Sequence, residues 1–203
     1  MNWEHEGKVY EDCAVFFKVD EEFGGLSNMA SGFPLSVNGH KVWSSEALFQ
    51  ACHFPDHPDI QKEIIEQRSP MAAKMKARKD GRRNRCGRPD WYTISLDVLD
   101  WCLRVKLAQN FVPFYWLLEL TGGRAIVERS HKDTFYGCKL EDDGVLRGQN
   151  HLGRLLMRLR EHARTHYHTD RDVLRRVEPL DIPNFKLLGE PITTIIAPSA
   201  SQE

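Results

Sequence analysis

The chain has 203 residues, 41% hydrophobic and 28% charged, with a formal net charge of −1. This usage is too apolar for a disordered chain, long enough to bury a core without a metal or disulfide staple, and free of the roughly 18-residue apolar run of a membrane span. Five scattered cysteines with no C-x-x-C, and an N-terminus (Met1-Asn2-Trp3-Glu4-His5-Glu6) without the basic-then-apolar order of a signal peptide, argue against a disulfide framework or Cys-rich zinc site and point to a reducing cytoplasm.

Cys13 to Val19 is apolar and β-branched enough for a strand. Asn38-Gly39 lies between Phe33-Pro-Leu-Ser-Val and His40-Lys-Val-Trp, a strong hairpin signal because a type I′ turn needs positive φ twice. Ser44 or Ser45 then caps a helix that ends near Pro55. Ile60, Ile64 and Ile65 give helical spacing over 58–68, and Ser69-Pro70 reads as N-cap plus first-turn proline of a helix through about Lys79. From Lys74 to Arg88 there are eight basic residues and one acid, leaving 20 basic against 28 acidic elsewhere. Such a patch attracts phosphate, and the alternative is a solvated helix end followed by a loop.

Leu96, Leu99, Leu103 and Leu107 repeat at three and four and predict a core helix to about Asn110. Pro113 starts a shorter one, Phe114 to Leu120, ended by Gly122-Gly123. Ala125 to Arg129 reads as a short strand and 130–149 as loop. Leu152, Leu155, Leu156 and Leu159 mark an amphipathic helix through about Arg164. Phe185 to Ile196 reads as a terminal strand and 198–203 as a frayed end. With no repeat and no linker, the expectation is a single α+β domain over 1–203, helix-rich, with a small antiparallel sheet.

Three places carry candidate chemistry. Glu46, Gln50 and His53 share one face of the helix opened by Ser44, so an acid, an amide and an imidazole form a stripe that either faces solvent or lines a pocket. Glu46 in the first turn is also simply favoured by the helix dipole. Asp133 and Tyr136 sit in a polar turn after a strand, where scaffolds place reactive groups, and an Asx-type turn explains them equally well. Gly148-Gln-Asn150-His-Leu-Gly153 runs into a helix whose first amides suit a phosphate; otherwise Gly148 is a hinge and Asn150 an N-cap. His162, His166 and His168 lack a ligand-spaced carboxylate, so no metal site is assigned.

In order and spacing, these blocks resemble the YbiA-like, or NADAR, family from about residue 16 to 161, with 162–203 as an extension. The landmarks are Gly25-Leu-Ser27-Asn28, the Asn38-Gly39 hairpin, Ser45-Glu46-Ala-Leu-Phe-Gln50-Ala-Cys-His53-Phe, Ser69-Pro-Met-Ala-Ala-Lys74, Arg88-Pro-Asp-Trp91, Ile126-Val-Glu128, Asp133-Thr-Phe-Tyr136-Gly137 and Gly148-Gln-Asn150-His-Leu-Gly153. The resemblance implies an N-glycosidase that hydrolyses the bond between ribose and a heterocyclic base, either a guanine carrying ADP-ribose or a riboflavin-pathway pyrimidine. It implies Glu46 and Asp133 as catalytic residues, and Ser27, Asn28, Gln50, His53, Arg88, Trp91, Tyr136, Gly148 and Asn150 around the substrate, with Trp91 and Tyr136 framing the base.

Two departures from the family pattern stand out: many members carry lysine, considered a Schiff-base nucleophile, where this chain has His53, and tryptophan where it has Tyr136. Imidazole forms no stable imine, which favours direct hydrolysis. The scheme requires no metal or organic cofactor. Its partner is a small-molecule nucleotide or an ADP-ribosylated guanine, free or within nucleic acid, and not a membrane. The rival readings are a pocket that binds ADP-ribose or a nucleotide without cleaving it, and a nucleic-acid-associated protein using the 74–88 patch.

Overall fold

The computed structural model of the chain describes residues 1–197, so the expected frayed end at 198–203 lies outside the described residues. In chain order the elements are β1 (Asn2–His5), β2 (Lys8–Tyr10), β3 (Ala14–Phe16), β4 (Leu35–Val37), β5 (His40–Val42), α1 (Ser45–Ala51), α2 (Pro58–Ile65), α3 (Pro70–Arg78), α4 (Arg82–Cys86), α5 (Trp91–Gln109) and α6 (Phe111–Leu120). Then follow β6 (Ile126–Glu128), β7 (Lys139–Leu140), β8 (Val145–Arg147), α7 (His151–Tyr167), α8 (Arg171–Arg175), β9 (Arg176–Val177), β10 (Lys186–Leu187), β11 (Glu190–Pro191) and β12 (Ile195–Ile196). The class is α+β and helix-rich. The chain forms two compact units, each assembled from two stretches: residues 1–27 with 112–165, and 28–111 with 166 onward. Because each unit draws on separated stretches, the sequence holds no linker to find.

The first unit contains a four-stranded sheet in the order β2-β1-β8-β7. It is mixed rather than purely antiparallel: β1 and β8 run parallel, with Trp3 opposite Leu146, while the two outer pairs are antiparallel. β3 and β6 form a second parallel pair. Trp3, Cys13, Val127, Cys138 and Leu146 make one buried cluster against these strands. The segment read as loop at 130–149 therefore holds β7 and β8, too short and too polar to show a period of two. On α7 the spaced leucines face inward as expected. Arg160 joins them, its Nη1 donating to Thr121 Oγ1 at 2.7 Å and the Arg124 carbonyl at 2.9 Å while its Nε pairs with Glu161 at 3.0 Å.

The second unit is built on helices. Asn38 and Gly39, at φ 49° and 76°, close the expected hairpin between β4 and β5. Ser44 caps α1, accepting from the Ala47 amide at 3.1 Å, a cap whose loss costs about 1 kcal/mol. Ser69 does the same for α3 ahead of Pro70. α5 starts at Trp91, five residues before the expected Leu96. Its start was hidden because Asp90, in the cap position, gives its carboxylate to Arg88 and makes no side-chain cap. The terminal strand is interrupted: Leu188 and Gly189, both at positive φ, turn the chain between β10 and β11. These late residues are tied to the rest of the unit. Trp101 Nε1 donates to the Glu178 carbonyl at 3.0 Å, and Gln61 binds both the Lys186 carbonyl and the Leu188 amide.

Candidate active site

All seven residues of α1 are buried, so the acid–amide stripe does not face open solvent. Glu46 sits in the first turn at 5% exposure, where the dipole favours a negative charge. The Asn28 carbonyl accepts the Glu46 amide at 3.1 Å and Ser45 Oγ at 3.3 Å, anchoring the helix start. The Glu46 carboxylate then meets two amide donors and an ammonium. Asn28 Nδ2 reaches Oε2 at 2.9 Å, Gln50 Nε2 reaches Oε1 at 2.8 Å, and Lys74 Nζ lies 3.7 Å from Oε1. Gln50 Oε1 accepts in turn from Arg83 Nη2, and this fixes the amide with its NH₂ toward the acid. The cluster fits a carboxylate anion.

His53 follows the α1 cap and stacks on Trp91, with centroids 4.2 Å apart and planes at 14°. Phe49 packs on the same indole at 5.0 Å. Trp91 is only 9% exposed, so the ring that the resemblance gives to the base lies largely against protein side chains. Burial, then the charges of Arg83 and Arg88, lower the His53 pKa from 6.5 to about 4, so the imidazole is neutral at pH 7. A Cβ on Gly87 would lie 2.5 Å from His53 Nε2, so only glycine fits there. The Arg88 amide donates to the His53 carbonyl at 2.9 Å. The Arg88 guanidinium forms a two-pronged pair with Asp90 at 2.7 and 2.9 Å and donates to the Pro183 carbonyl at 2.8 Å. That clamp holds the Asp90 carboxyl below its usual range. Three buried polar atoms here have no hydrogen-bond partner: Asn28 Oδ1, His53 Nδ1 and Arg88 Nη1.

The remaining expected residues lie in the first unit. Asp133 is exposed, and its Oδ1 accepts the Phe135 and Tyr136 amides at 2.9 Å each, an Asx-type turn. Tyr136 is half-buried beside Phe135. The amides of Gln149, Asn150, His151 and Leu152 donate to the carbonyls of Thr134, Gly137, Phe135 and Tyr136. The expected phosphate cradle at the start of α7 is thus filled by the chain's own 134–137 segment. Gly148, at φ 156°, allows this: a Cβ would lie 2.4 Å from the Gly137 carbonyl. Asn150 is fully buried at φ 51°, accepting from the Glu128 amide at 3.1 Å and donating to the Ile126 carbonyl at 2.8 Å. Both ends of its side chain are used on β6 and its flank. Ser27 closes the turn at Gly24–Leu26 through its amide.

Half of the basic patch turns inward. Lys74 meets Glu46, Arg82 pairs with Glu63, Arg83 reaches Gln50, and Arg88 reaches Asp90. Neither sequence alternative, a surface for phosphate or a solvated helix end, puts Lys74 and Arg83 beside Glu46 and Gln50. The available signal was the phase of α3: Ser69 and Pro70 set its start, and Ala73 and Ala77 mark its packed face, with Lys74 at its margin. Among the described residues, no group of three or more His, Cys, Asp or Glu is arranged to hold a metal, and no helix is long and apolar enough to cross a membrane.

Comparison with known proteins gives the same frame. The NADAR domain model matches residues 15–164. The N-glycosidase YbiA of Shigella boydii is 35% identical over 155 residues, covering 75% of this chain and 90% of that protein. A riboflavin biosynthesis protein of Vibrio vulnificus is 33% identical over 160 residues, 78% of this chain, which spans only 40% of the longer protein. The NMR structure of Escherichia coli YbiA superposes with a TM-score of 0.62 at 29% identity, over 77% of this chain and 88% of that one. Shared architecture and shared sequence run over three quarters of its length, and the chain belongs to the NADAR family.

Proposed function

We propose that this protein is an N-glycosidase that hydrolyses the bond between a ribose carbon and a heterocyclic base, with Glu46 as its catalytic residue. The observation that carries the reading is the buried Glu46 carboxylate surrounded by donors alone. Breaking a C–N glycosidic bond builds positive charge on the sugar, and a fixed anion beside the anomeric carbon stabilises it. Water adds to that carbon, its proton passes to Glu46 and on to the departing nitrogen, and the balance is one water consumed per free base and free ribosyl product. Asn28 Oδ1, a buried acceptor without a partner, suits a ribose hydroxyl. Neutral His53 is a poor acid near pH 7, and its unpartnered Nδ1, together with Arg88 Nη1, is suited to hydrogen bonding with the base or a phosphate rather than to donating the proton. Direct hydrolysis follows, since an imidazole replaces the lysine that an imine would need.

In this scheme Trp91 orients His53, while Gly148 and Asn150 shape the 134–137 loop of the first unit. The substrate class is a riboflavin-pathway ribosyl pyrimidine or an ADP-ribosylated guanine. The test is chromatography of free base after incubation with each compound. Glu46→Gln keeps the shape, removes the charge, and is expected to lower base release by about 10³-fold. Near wild-type release by Glu46→Gln, or binding by the wild type without release, overturns the assignment.

A further inference from the structure

Lys74 belongs to none of the expected site residues, yet its ammonium pairs with the buried acid. α3 can approach α1 closely because its packed face is alanine: Ala73 and Ala77 are fully buried. From the margin of that face the Lys74 stem reaches Glu46 Oε1 at 3.7 Å, with its own side chain 31% exposed. The other groups around the acid are accounted for. On α4, Arg83 donates to Gln50, which in turn donates to the acid. On α2, Glu63 pairs with Arg82 and Lys62 with Glu66. On β5, Lys41 lies 3.8 Å over the Trp43 ring. On α5 the titratable neighbour is the Cys102 thiol, pushed up mainly by burial and also by Cys52 and the Glu46 charge. On α1 itself, His53 is neutral at pH 7.

We infer that Lys74 is a positioning residue for the reaction: its ammonium, in direct contact with Glu46, keeps that carboxylate ionised and turned with one oxygen to Gln50 and the other to Asn28. The inference rests on the assignment of Glu46 above. A buried carboxylate that loses an opposite charge within about 4 Å takes up a proton at higher pH, by about one unit or more. Lys74 acts through Glu46, so its removal changes the rate and the pH profile rather than substrate affinity.

The experiment compares Lys74→Met, which keeps the stem, with Lys74→Arg, which keeps the charge. Lys74→Met is expected to lower kcat about tenfold at pH 7, leave KM within about twofold, and move the acid limb of the kcat profile up by about one unit. Lys74→Arg is expected to restore the wild-type limb. An unmoved limb, a loss confined to KM, or failure of the arginine to restore the limb overturns the inference. If Lys74→Met does not fold, Lys74→Gln is put through the same measurements. The side-chain carboxyl of Glu46 is also titrated by ¹³C NMR in wild type and variant. That readout needs no turnover, so a shifted titration in a protein that releases no base keeps the Lys74–Glu46 coupling and discards only the glycosidase reading, whereas an unshifted titration discards the coupling.

Discussion

The two carboxylates that the sequence singles out, Glu46 in one unit and Asp133 in the other, have opposite surroundings. Glu46 is buried, accepts from two side-chain amides and pairs with a lysine ammonium. Asp133 is exposed, and the donors its Oδ1 accepts are backbone amides of its own turn. An ionised group taken out of water costs several kcal/mol unless paired and hydrogen-bonded, so a chain keeps one inside only with compensation built around it. An exposed aspartate in a turn needs none, because water supplies what the amides do not. The difference teaches that residue type and loop position name candidates, while the donor set separates a buried carboxylate that needs compensation from one that orders its own turn.

Three measurements sharpen or break that contrast. The largest expected effect is on the loop of the first unit. Asn150→Ala removes two hydrogen bonds to the β6 region and places alanine at positive φ, for a loss of about 3 kcal/mol in urea unfolding. A loss below about 1 kcal/mol means that the loop is held by other contacts.

The second concerns the site around Glu46. The unfolded chain protonates its histidine near pH 6.5, the folded one only near pH 4 at His53. Between those values the unfolded state holds more protons, so the contribution is full above about pH 6.5 and is lost as pH falls toward 4, on the order of 2 kcal/mol. His53→Gln is expected to flatten that part of the stability curve, and an unchanged slope in the variant assigns the pH dependence elsewhere. The smallest effect is at Asp133. Asparagine keeps the acceptor oxygen of the turn and removes the charge, so Asp133→Asn is expected to shift stability by less than about 0.5 kcal/mol and base release by about twofold at most. A hundredfold loss of release would restore Asp133 as a reacting group and end the contrast.

Sequence features that depend on neighbouring residues were legible. The Asn38-Gly39 turn, the Ser44 and Ser69 caps and the leucine face of α7 follow from backbone preference and helical period, and each is found where those rules put it. The stripe of Glu46 and Gln50 was legible as one face of one helix. What it touches was not, because Asn28 and Lys74 arrive from 18 and 28 positions away. The strands at 139–147 escaped because two or three residues show no alternation, and α5 began early because Asp90 answers to Arg88 instead of capping. The 148–152 turn looked like an anion site because its amides are unpaired in any local reading. Their partners, the carbonyls of 134–137, are supplied by a separate stretch of chain.

The carbonyl of Pro183 on Arg88, and that of Glu178 on Trp101, have a practical meaning for anyone who trims this protein. A fragment cut at the edge of the family match, near residue 164, would discard both acceptors together with the backbone that Gln61 grips. Such an excised piece would leave the Trp101 indole N–H without its acceptor and the Arg88 guanidinium to Asp90 alone. The boundary useful for engineering therefore lies some thirty residues beyond the boundary that homology draws.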